Sequence, residues 1–337
     1  MKIIVDAMGG DNAPLEIIKG VQLSLEENKN VQVILVGQEN VIRKCMQENN
    51  IYLERTEIVN AEQVVTMEDS PNDVLKTKKD SSMSVGMRLL SENKGDAFMS
   101  AGNSGAIVIG SSLICKRIKG IKRAAFAPIL PKDEGFFMLI DSGANVECRP
   151  EMLCQFALMG SVYLEKVMNI KSPRIGLANV GVEEHKGGEF RQEAYKLLKK
   201  LPINFIGNVE ARDIPFDACD VVVADGFTGN IILKMYEGVA MALMKKIKGV
   251  FTKNLKTKLA AACVMPEFKN LKKSIDYNEY GGAPVMGIAK PVFKVHGSAK
   301  AKTFKNAFKL TMQYVNGDVI NIISNELSKM KDGDINE

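Results

Sequence analysis

The chain repeats one pattern: a short apolar run, a loop rich in Gly, Asn and Asp, and then a stretch with helical spacing. It opens with Lys2 to Val5, the loop Asp6 to Ala13, and a helical segment from Pro14, a residue suited to the first helical turn. Further strands are predicted at Val31 to Val36, Ala97 to Met99, Phe136 to Ile140, Ile175 to Ala178 and Val221 to Val223, most of them followed by helix-like stretches. Such alternation predicts an α/β fold, a largely parallel sheet covered by helices. No repeat period, low-complexity segment or linker divides the 337 residues, so the chain reads as one domain, 1–337.

A different pattern stands out near residues 240–278. Leu243, Ile247, Phe251 and Leu255 recur every four residues, while Lys245, Lys246, Lys248, Lys253 and Lys256 fall largely on other faces, which predicts an amphipathic helix. Lys258 falls near the apolar face and predicts an interruption there. Pro266 predicts a turn before a second basic stretch, Phe268 to Ile275, so the segment reads as a basic helical hairpin.

Charge sharpens that picture. The formal net charge is +5, from 45 basic and 40 acidic residues, yet residues 245–273 alone hold nine lysines against Glu267. The rest of the chain carries 36 basic and 39 acidic residues, so the excess is local. Lysines around an apolar stripe suit anionic lipid or an acidic protein partner; a solvated helix packing on a sister subunit is the alternative. Nucleic acid is disfavoured, because there is no Trp, aromatic residues are 6%, and no recognised binding motif accompanies the lysines. Hydrophobic residues at 46% and charged residues at 25% describe a globular chain. Cys45, Cys115, Cys148, Cys154, Cys219 and Cys263 show no C-x-x-C spacing, which argues against a disulfide scaffold or zinc ribbon and for a reducing cytoplasm. The N-terminus has too short an apolar run for a signal peptide, and no stretch reaches the roughly 18 apolar residues of a spanning helix.

The chemistry is expected in the loops after the strands: Asp6 to Asp11, Ser100 to Ala106, Asp141 to Asn145, Asn179 to Gly188, and Asp225 to Asn230. In open α/β sheets such loops gather at the carboxyl ends of strands, where ligands bind. Glycine lets backbone N–H groups approach an anion, so a phosphate-sized guest is expected. There is no G-x-G-x-x-G, and Gly282 to Gly287 continues with Ile-Ala where a P-loop needs Lys then Ser or Thr, so nucleotide binding is disfavoured. Ser104 lacks the nucleophile-elbow pattern and reads as a helix cap or anion donor. Asp6, Asp141 and Asp225 end strands and read as helix caps rather than Mg²⁺ ligands. The two histidines, His185 and His296, lie in polar, Gly-rich settings; a structural role is the default for such residues, and the flanking glycines favour ligand contact if the loops line a cleft.

Together with Tyr280 to Pro284 and His296-Gly297, the ordered set of these loops closely resembles the bacterial phosphate acyltransferase family, PlsX, over nearly the whole chain. Ser104 stands where that family usually has threonine, which keeps the hydroxyl. The resemblance implies a three-layer α/β/α fold with a mostly parallel mixed sheet and two interleaved lobes, like the isocitrate/isopropylmalate dehydrogenases and phosphate acetyltransferase. It implies a homodimeric acyltransferase that moves a fatty acyl group from acyl-acyl carrier protein to orthophosphate, giving acyl phosphate for phospholipid synthesis. No metal, nucleotide or other cofactor is implied.

Residue by residue, Lys186 and Asn230 match family positions linked to catalysis, with His185 as a further catalytic candidate. Gly9, Gly10, Asn103, Ser104, Gly105, Asn145, Gly229 and His296 are the phosphate- and substrate-binding candidates. The resemblance also implies a cytoplasmic protein with peripheral contact to anionic membrane, an acidic carrier-protein partner, and product delivery to a downstream membrane acyltransferase. Alternatives are a phosphate acyltransferase acting on short acyl-CoA, a non-catalytic scaffold joining carrier protein to membrane, and ping-pong chemistry through Cys148.

Overall fold

The structure, a computed structural model, describes residues 1–274 and 280–329. Every strand the pattern predicts forms, and apart from Lys2 and Gln32 at strand starts each run is apolar because helices cover both faces. β1 (Lys2–Asp6) sends Ile3 and Val5 into one core with Ile17 and Ile18 of α1 (Leu15–Glu27). Its Ile4 enters the opposite core with Met87 and Leu90 of α3 (Ser82–Ser91). β2 (Gln32–Gly37), α2 (Glu39–Glu48) and β3 (Thr56–Asn60) extend the sheet on one side of β1, and β4 (Ala97–Ser100) joins on the other, all four strands parallel.

After α4 (Ser104–Gly110) the chain crosses to a second sheet along one extended segment, residues 125–131. Its first part, β5 (Ala125–Phe126), pairs with β11 (Gly282–Met286) at the edge of the first sheet. Its second part, β6 (Ile129–Pro131), pairs antiparallel with β7 (Phe136–Ile140) in the second. Then come α5 (Pro150–Lys166), β8 (Ile175–Asn179), α6 (Glu189–Leu198), β9 (Phe205–Glu210) and β10 (Val221–Val223), which complete the order β6-β7-β10-β8-β9. Met138, Ile140, Val221 and Val223 pack toward α5, while Phe137, Leu139 and Val222 pack with Ile232, Leu233 and Tyr236 of α7 (Gly226–Thr252). That is the α/β/α layering expected.

The chain then returns. β12 (Val292–Val295) inserts between β4 and β11, giving the first sheet the order β3-β2-β1-β4-β12-β11-β5. Of the last two helices, α9 (Ala301–Asn316) packs on α1 and α10 (Val319–Lys329) on α5. Because the chain leaves the first lobe and re-enters it, no linker is legible in the sequence.

The hairpin differs from expectation in its turn. α7 runs unbroken to Thr252 and α8 spans Leu255–Ser274, so the reversal lies at Lys253 and Asn254, not at Pro266. Asn254 caps α8: its Oδ1 accepts the Thr257 N–H at 3.0 Å, and its own N–H donates to Thr257 Oγ1 at 3.0 Å. Pro266 sits inside α8, where an exposed helix lets water meet the carbonyl its ring leaves unbonded. Lys258 does not interrupt the helix either, since its N–H donates to the Asn254 carbonyl at 3.0 Å. Phe251 and Phe268 join the two helices edge to face, 5.9 Å between centroids. Along α7, Ile231, Met235, Val239 and Leu243 form an exposed apolar stripe at four-residue spacing. The part of the hairpin expected at residues 275–278 lies outside the described residues.

The start of α7 is seated directly on the loop after β7. A Cβ at Gly229 would stand 1.9 Å from the Asp141 carbonyl oxygen, whereas one at Gly238, later in the same helix, would meet nothing within 4 Å. Gly229→Ala is therefore expected to cost at least about 1–3 kcal/mol through overpacking against backbone. Gly238→Ala should stabilise by up to about 1 kcal/mol through helix propensity. Thermal unfolding of the two variants beside the parent checks both signs.

Candidate active site

Loops from both sheets converge at the carboxyl ends of the strands, and buried carboxylates tie them together. Asp6 accepts from Ser100 Oγ at 2.6 Å and from the Met8 N–H at 3.1 Å, joining the loop after β1 to that after β4. Gly10, at φ +100°, lies against Ala101 and the Gly297 carbonyl, and the Asp11 N–H donates to that carbonyl at 2.8 Å. Asn12 Nδ2 donates to the Ser298 carbonyl at 3.1 Å. Three loops distant in sequence thus meet.

Across the cleft, Asp141 accepts N–H bonds from Phe126 (3.0 Å), Gly143 (3.2 Å), Ala144 (3.0 Å) and Asn145 (2.7 Å), and from Asn145 Nδ2 (2.9 Å). Burial pushes the Asp6 and Asp141 carboxyls up, and these donors work against that shift. Only Asp225 fulfils the expected capping role: its carboxylate accepts from the Thr228 N–H, Thr228 Oγ1 and Arg191 Nη2. Asp6 and Asp141 anchor loops instead.

Between the lobes lies a cavity of about 420 Å³ with two kinds of wall. Asp11, Ser104, Ser142, Asn230, Lys294 and His296 are polar; Met67, Phe126, Pro128, Ile129, Leu130 and Leu233 are apolar. Lys294, in β12, is enclosed by the fold and reached through the cavity. Its Nζ donates to the Ala101 carbonyl at 3.0 Å and the Val295 carbonyl at 2.7 Å, which leaves one proton for an anion. Desolvation pushes its ammonium down to about 8, against the opposing pull of Asp6 and Asp11 and with Lys234 adding to the fall.

Burial likewise holds His296 below its ordinary range, with Glu237 opposing and Lys294 and Lys234 reinforcing, so the ring is neutral at neutral pH. Its Nδ1 lies 2.9 Å from Ser298 Oγ and 3.3 Å from the Ser298 backbone nitrogen.

Of the residues expected from sequence, Ser104, Asn230 and His296 line this cavity. Asn103, not Ser104, caps α4: its Oδ1 accepts the Ala106 N–H at 3.0 Å and its Nδ2 donates to the carbonyls of Thr66 and Asp69. Gly9 packs against Gly102 and the Asp6 carboxylate, Gly105 against Pro71, and Gly229 under Asp141. The Asn145 amide is used by Asp141 and the Ala124 carbonyl.

His185 and Lys186 do not line the cavity. They lie in the loop after β8, His185 exposed and the Lys186 stem close over Gly181. That loop reaches the start of α7 through Arg191, which lies against Gly187 and bonds Asp225 and Thr228. The Cys148 thiol is pushed up to about 11 by burial, so it stays protonated and is a poor nucleophile.

A family model described as "Fatty acid synthesis protein" matches residues 1–322. The chain is 48% identical over 327 residues to a phosphate acyltransferase of Clostridium tetani, covering 97% of this chain and 98% of that one. It is 47% identical over 332 residues to one of Thermoanaerobacter pseudethanolicus, covering 98% and 99%. The chain belongs to the PlsX family of phosphate acyltransferases. It is thus an acyltransferase. Its fold is shared with a phosphotransacetylase from Streptococcus pyogenes, TM-score 0.62 at 16% identity over 94% of each chain. The EutD phosphotransacetylase of Staphylococcus aureus gives TM-score 0.59 at 15% identity, again over 94% of each. Among the described residues no helix is long and apolar enough to cross a membrane.

For this family member the sequence reading missed Asp11, Ser142, Lys234, Glu237 and above all Lys294. One signal was available: a lysine inside the otherwise apolar strand Val292–Val295 needs a reason to be there. Its effect on stability follows from linkage. Between about 8 and its ordinary 10.5, the unfolded chain holds a proton at Lys294 that the folded chain has lost, so this group's contribution to stability rises with pH across that window. Lys294→Met removes the dependence. Relative to wild type, the variant should be most favoured below pH 8 and lose that advantage above it, on top of a constant offset from the two missing hydrogen bonds. Urea unfolding at both ends of the window measures it.

Proposed function

We propose that the protein transfers a fatty acyl group from acyl carrier protein to orthophosphate, releasing the carrier thiol and supplying acyl phosphate for phospholipid synthesis. The observation that carries this reading is the divided wall of the cavity: a cation and hydroxyl, amide and imidazole donors on one side, apolar side chains for an acyl chain on the other. A thioester carbonyl belongs at the seam.

Phosphate is already ionised at neutral pH, so it needs capture and orientation more than deprotonation. Lys294 and Ser104 hold it. One phosphate oxygen attacks the thioester carbon, the C–O bond forms, and the C–S bond breaks with its electron pair leaving on sulfur. The thiolate then takes a proton from solvent. The Asn230 amide donates to the oxyanion that develops between these steps, with the His296 ring on the same polar wall, a stabilisation worth about 10²–10³ in kcat for one donor. A neutral His296 suits hydrogen bonding there better than general acid work. Lys186 acts from the adjoining loop.

We extend the reading to assembly. The exposed stripe on α7 and the lysines of the hairpin serve homodimer packing and peripheral contact with anionic membrane, where product would pass to a membrane acyltransferase.

Phosphate-dependent thiol release from long-chain acyl carrier protein, compared with acetyl-CoA, tests the donor class. Activity confined to acetyl-CoA would replace this function with a short-chain one. Asn230→Ala should lower kcat by about 10²–10³ with little change in phosphate KM. Lys294→Met should raise phosphate KM, and the wild-type KM should climb above about pH 8 as the ammonium is lost. Lys186→Ala should lower turnover with the fold intact; near-normal acyl phosphate formation would remove its role. Charge reversal at Lys253, Lys256 and Lys258 should reduce sedimentation with anionic liposomes, and unchanged sedimentation would count against the membrane contact.

A further inference from the structure

A second hollow, of about 410 Å³, lies next to the catalytic cavity and shares no lining residue with it. The two are nonetheless consecutive along the same elements. On α4, Ser104 lines the cavity and Val108, one turn on and on the same face, lines the second hollow. On the loop after β7, Ser142 and Gly143 belong to the cavity, while Asn145 and Val146 belong to its neighbour.

The charged residues that line this hollow are Arg117, Arg123 and Glu147, and the two arginines belong to a basic segment. Residues 116–123 read Lys-Arg-Ile-Lys-Gly-Ile-Lys-Arg: five cations and no acid in eight residues. Without them and without 245–273, the chain has 31 basic against 39 acidic residues, so this is a second local patch on an otherwise acidic body. All five cations are exposed, and Arg117 and Arg123 line the hollow. Among the described residues none of the five is ion-paired.

The segment is held firmly beneath them. Ile118 and Ile121 are buried, and the Ile118 N–H donates to the Gly287 carbonyl at 3.0 Å. The Lys122 N–H donates to Gln155 Oε1 and Gln155 Nε2 to the Gly120 carbonyl, each at 2.8 Å. Between the cations the surface is apolar: Leu113 is 63% exposed and Val146 65%.

We infer that residues 116–123 and the hollow beside them are the docking surface for the acidic carrier that bears the acyl thioester. The inference rests on the donor class proposed above and adds where that donor binds. Two arginines at a largely apolar hollow, with three more exposed cations on the same segment, match a protein surface that places carboxylates beside a projecting hydrophobic side chain. A lipid surface, being flat, leaves the hollow empty. A free small anion finds no enclosed polar group there, because the five side chains are solvent-exposed. Seated on this patch, a carrier would present its thioester arm beside α4, whose Val108 lines this hollow and whose Ser104 lines the cavity.

The test uses the full chain and the double variant Arg117→Glu/Arg123→Glu, neither residue being part of the catalytic cavity. Two donors carry the same long acyl group: acyl carrier protein, and pantetheine, which has no protein and no charge. The variant is expected to raise KM for acyl carrier protein at least tenfold, with kcat within twofold and with activity on acyl-pantetheine unchanged. The salt dependence of kcat/KM for the protein donor should flatten as well.

Equal losses on both donors, or no change on the carrier protein, would overturn the assignment. So would a change of oligomeric state in analytical ultracentrifugation, which would make the patch an interface between copies of this chain. Direct binding of acyl-free carrier protein, read by fluorescence anisotropy, separates this inference from the function it rests on. Binding that the double variant abolishes supports the docking surface even if wild type releases no thiol. Absence of binding to wild type removes the docking surface while leaving activity on acyl-pantetheine to judge the chemistry.

Discussion

A buried carboxylate with N–H groups aimed at it from several directions is a strong local constraint, because withdrawing the charge strands the donors and withdrawing the donors strands the charge. Asp141 is such a group. It binds the crossing segment at Phe126 and the turn through Asn145, while its carbonyl lies against Gly229 at the start of α7. Strand, turn and helix of the second lobe are thereby fixed to the segment shared with the first. Asp6 does the corresponding work across β1 and β4. The cavity lies between these two anchors, so its walls are set by groups that do not themselves line it.

That rigidity gives the wall its chemical meaning. A lysine in an apolar strand is costly to ionise, and Lys294 shows the cost in a lowered affinity for its proton. The two carbonyls it meets and the acids behind it keep it charged at neutral pH, where a bound anion would provide the remaining compensation. The apolar wall opposite has no such tension. Its side chains come mainly from the crossing segment and from Leu233, so the elements that join the lobes also form the face suited to an acyl chain.

Charge is distributed with the same economy. An acidic body carries cations at two places, the long hairpin and the short loop 116–123, which differ in shape. The hairpin offers an extended apolar stripe and the loop borders a hollow beside the cavity. One suits a broad surface, the other a single protruding partner. The hairpin was legible because its period is helical and its lysines are many. The loop was not, because five cations in eight residues mean little until the hollow that Arg117 and Arg123 line is seen.

The six predicted strands, their order of appearance and the loops that follow them were determined by the sequence alone, since apolar runs punctuated by glycine and aspartate admit few other local structures. The same local reading misplaced the hairpin turn, because Pro266 is a strong breaker in isolation while the reciprocal Asn254 and Thr257 cap is not visible as a pattern of polarity. Of its candidates Ser104, Asn230 and His296 line the cavity; of the two roles it offered Ser104, helix cap or anion donor, the cap belongs to Asn103, and it passed over Lys294 and Asp11. Only the tertiary structure decided which residues meet, by returning β12 to the first sheet and passing residues 125–131 between the two. Propensity acts over a few neighbours, whereas the cavity joins residues as far apart as Asp11 and Ser298, and that proximity is produced by strand pairing and close packing across the whole chain.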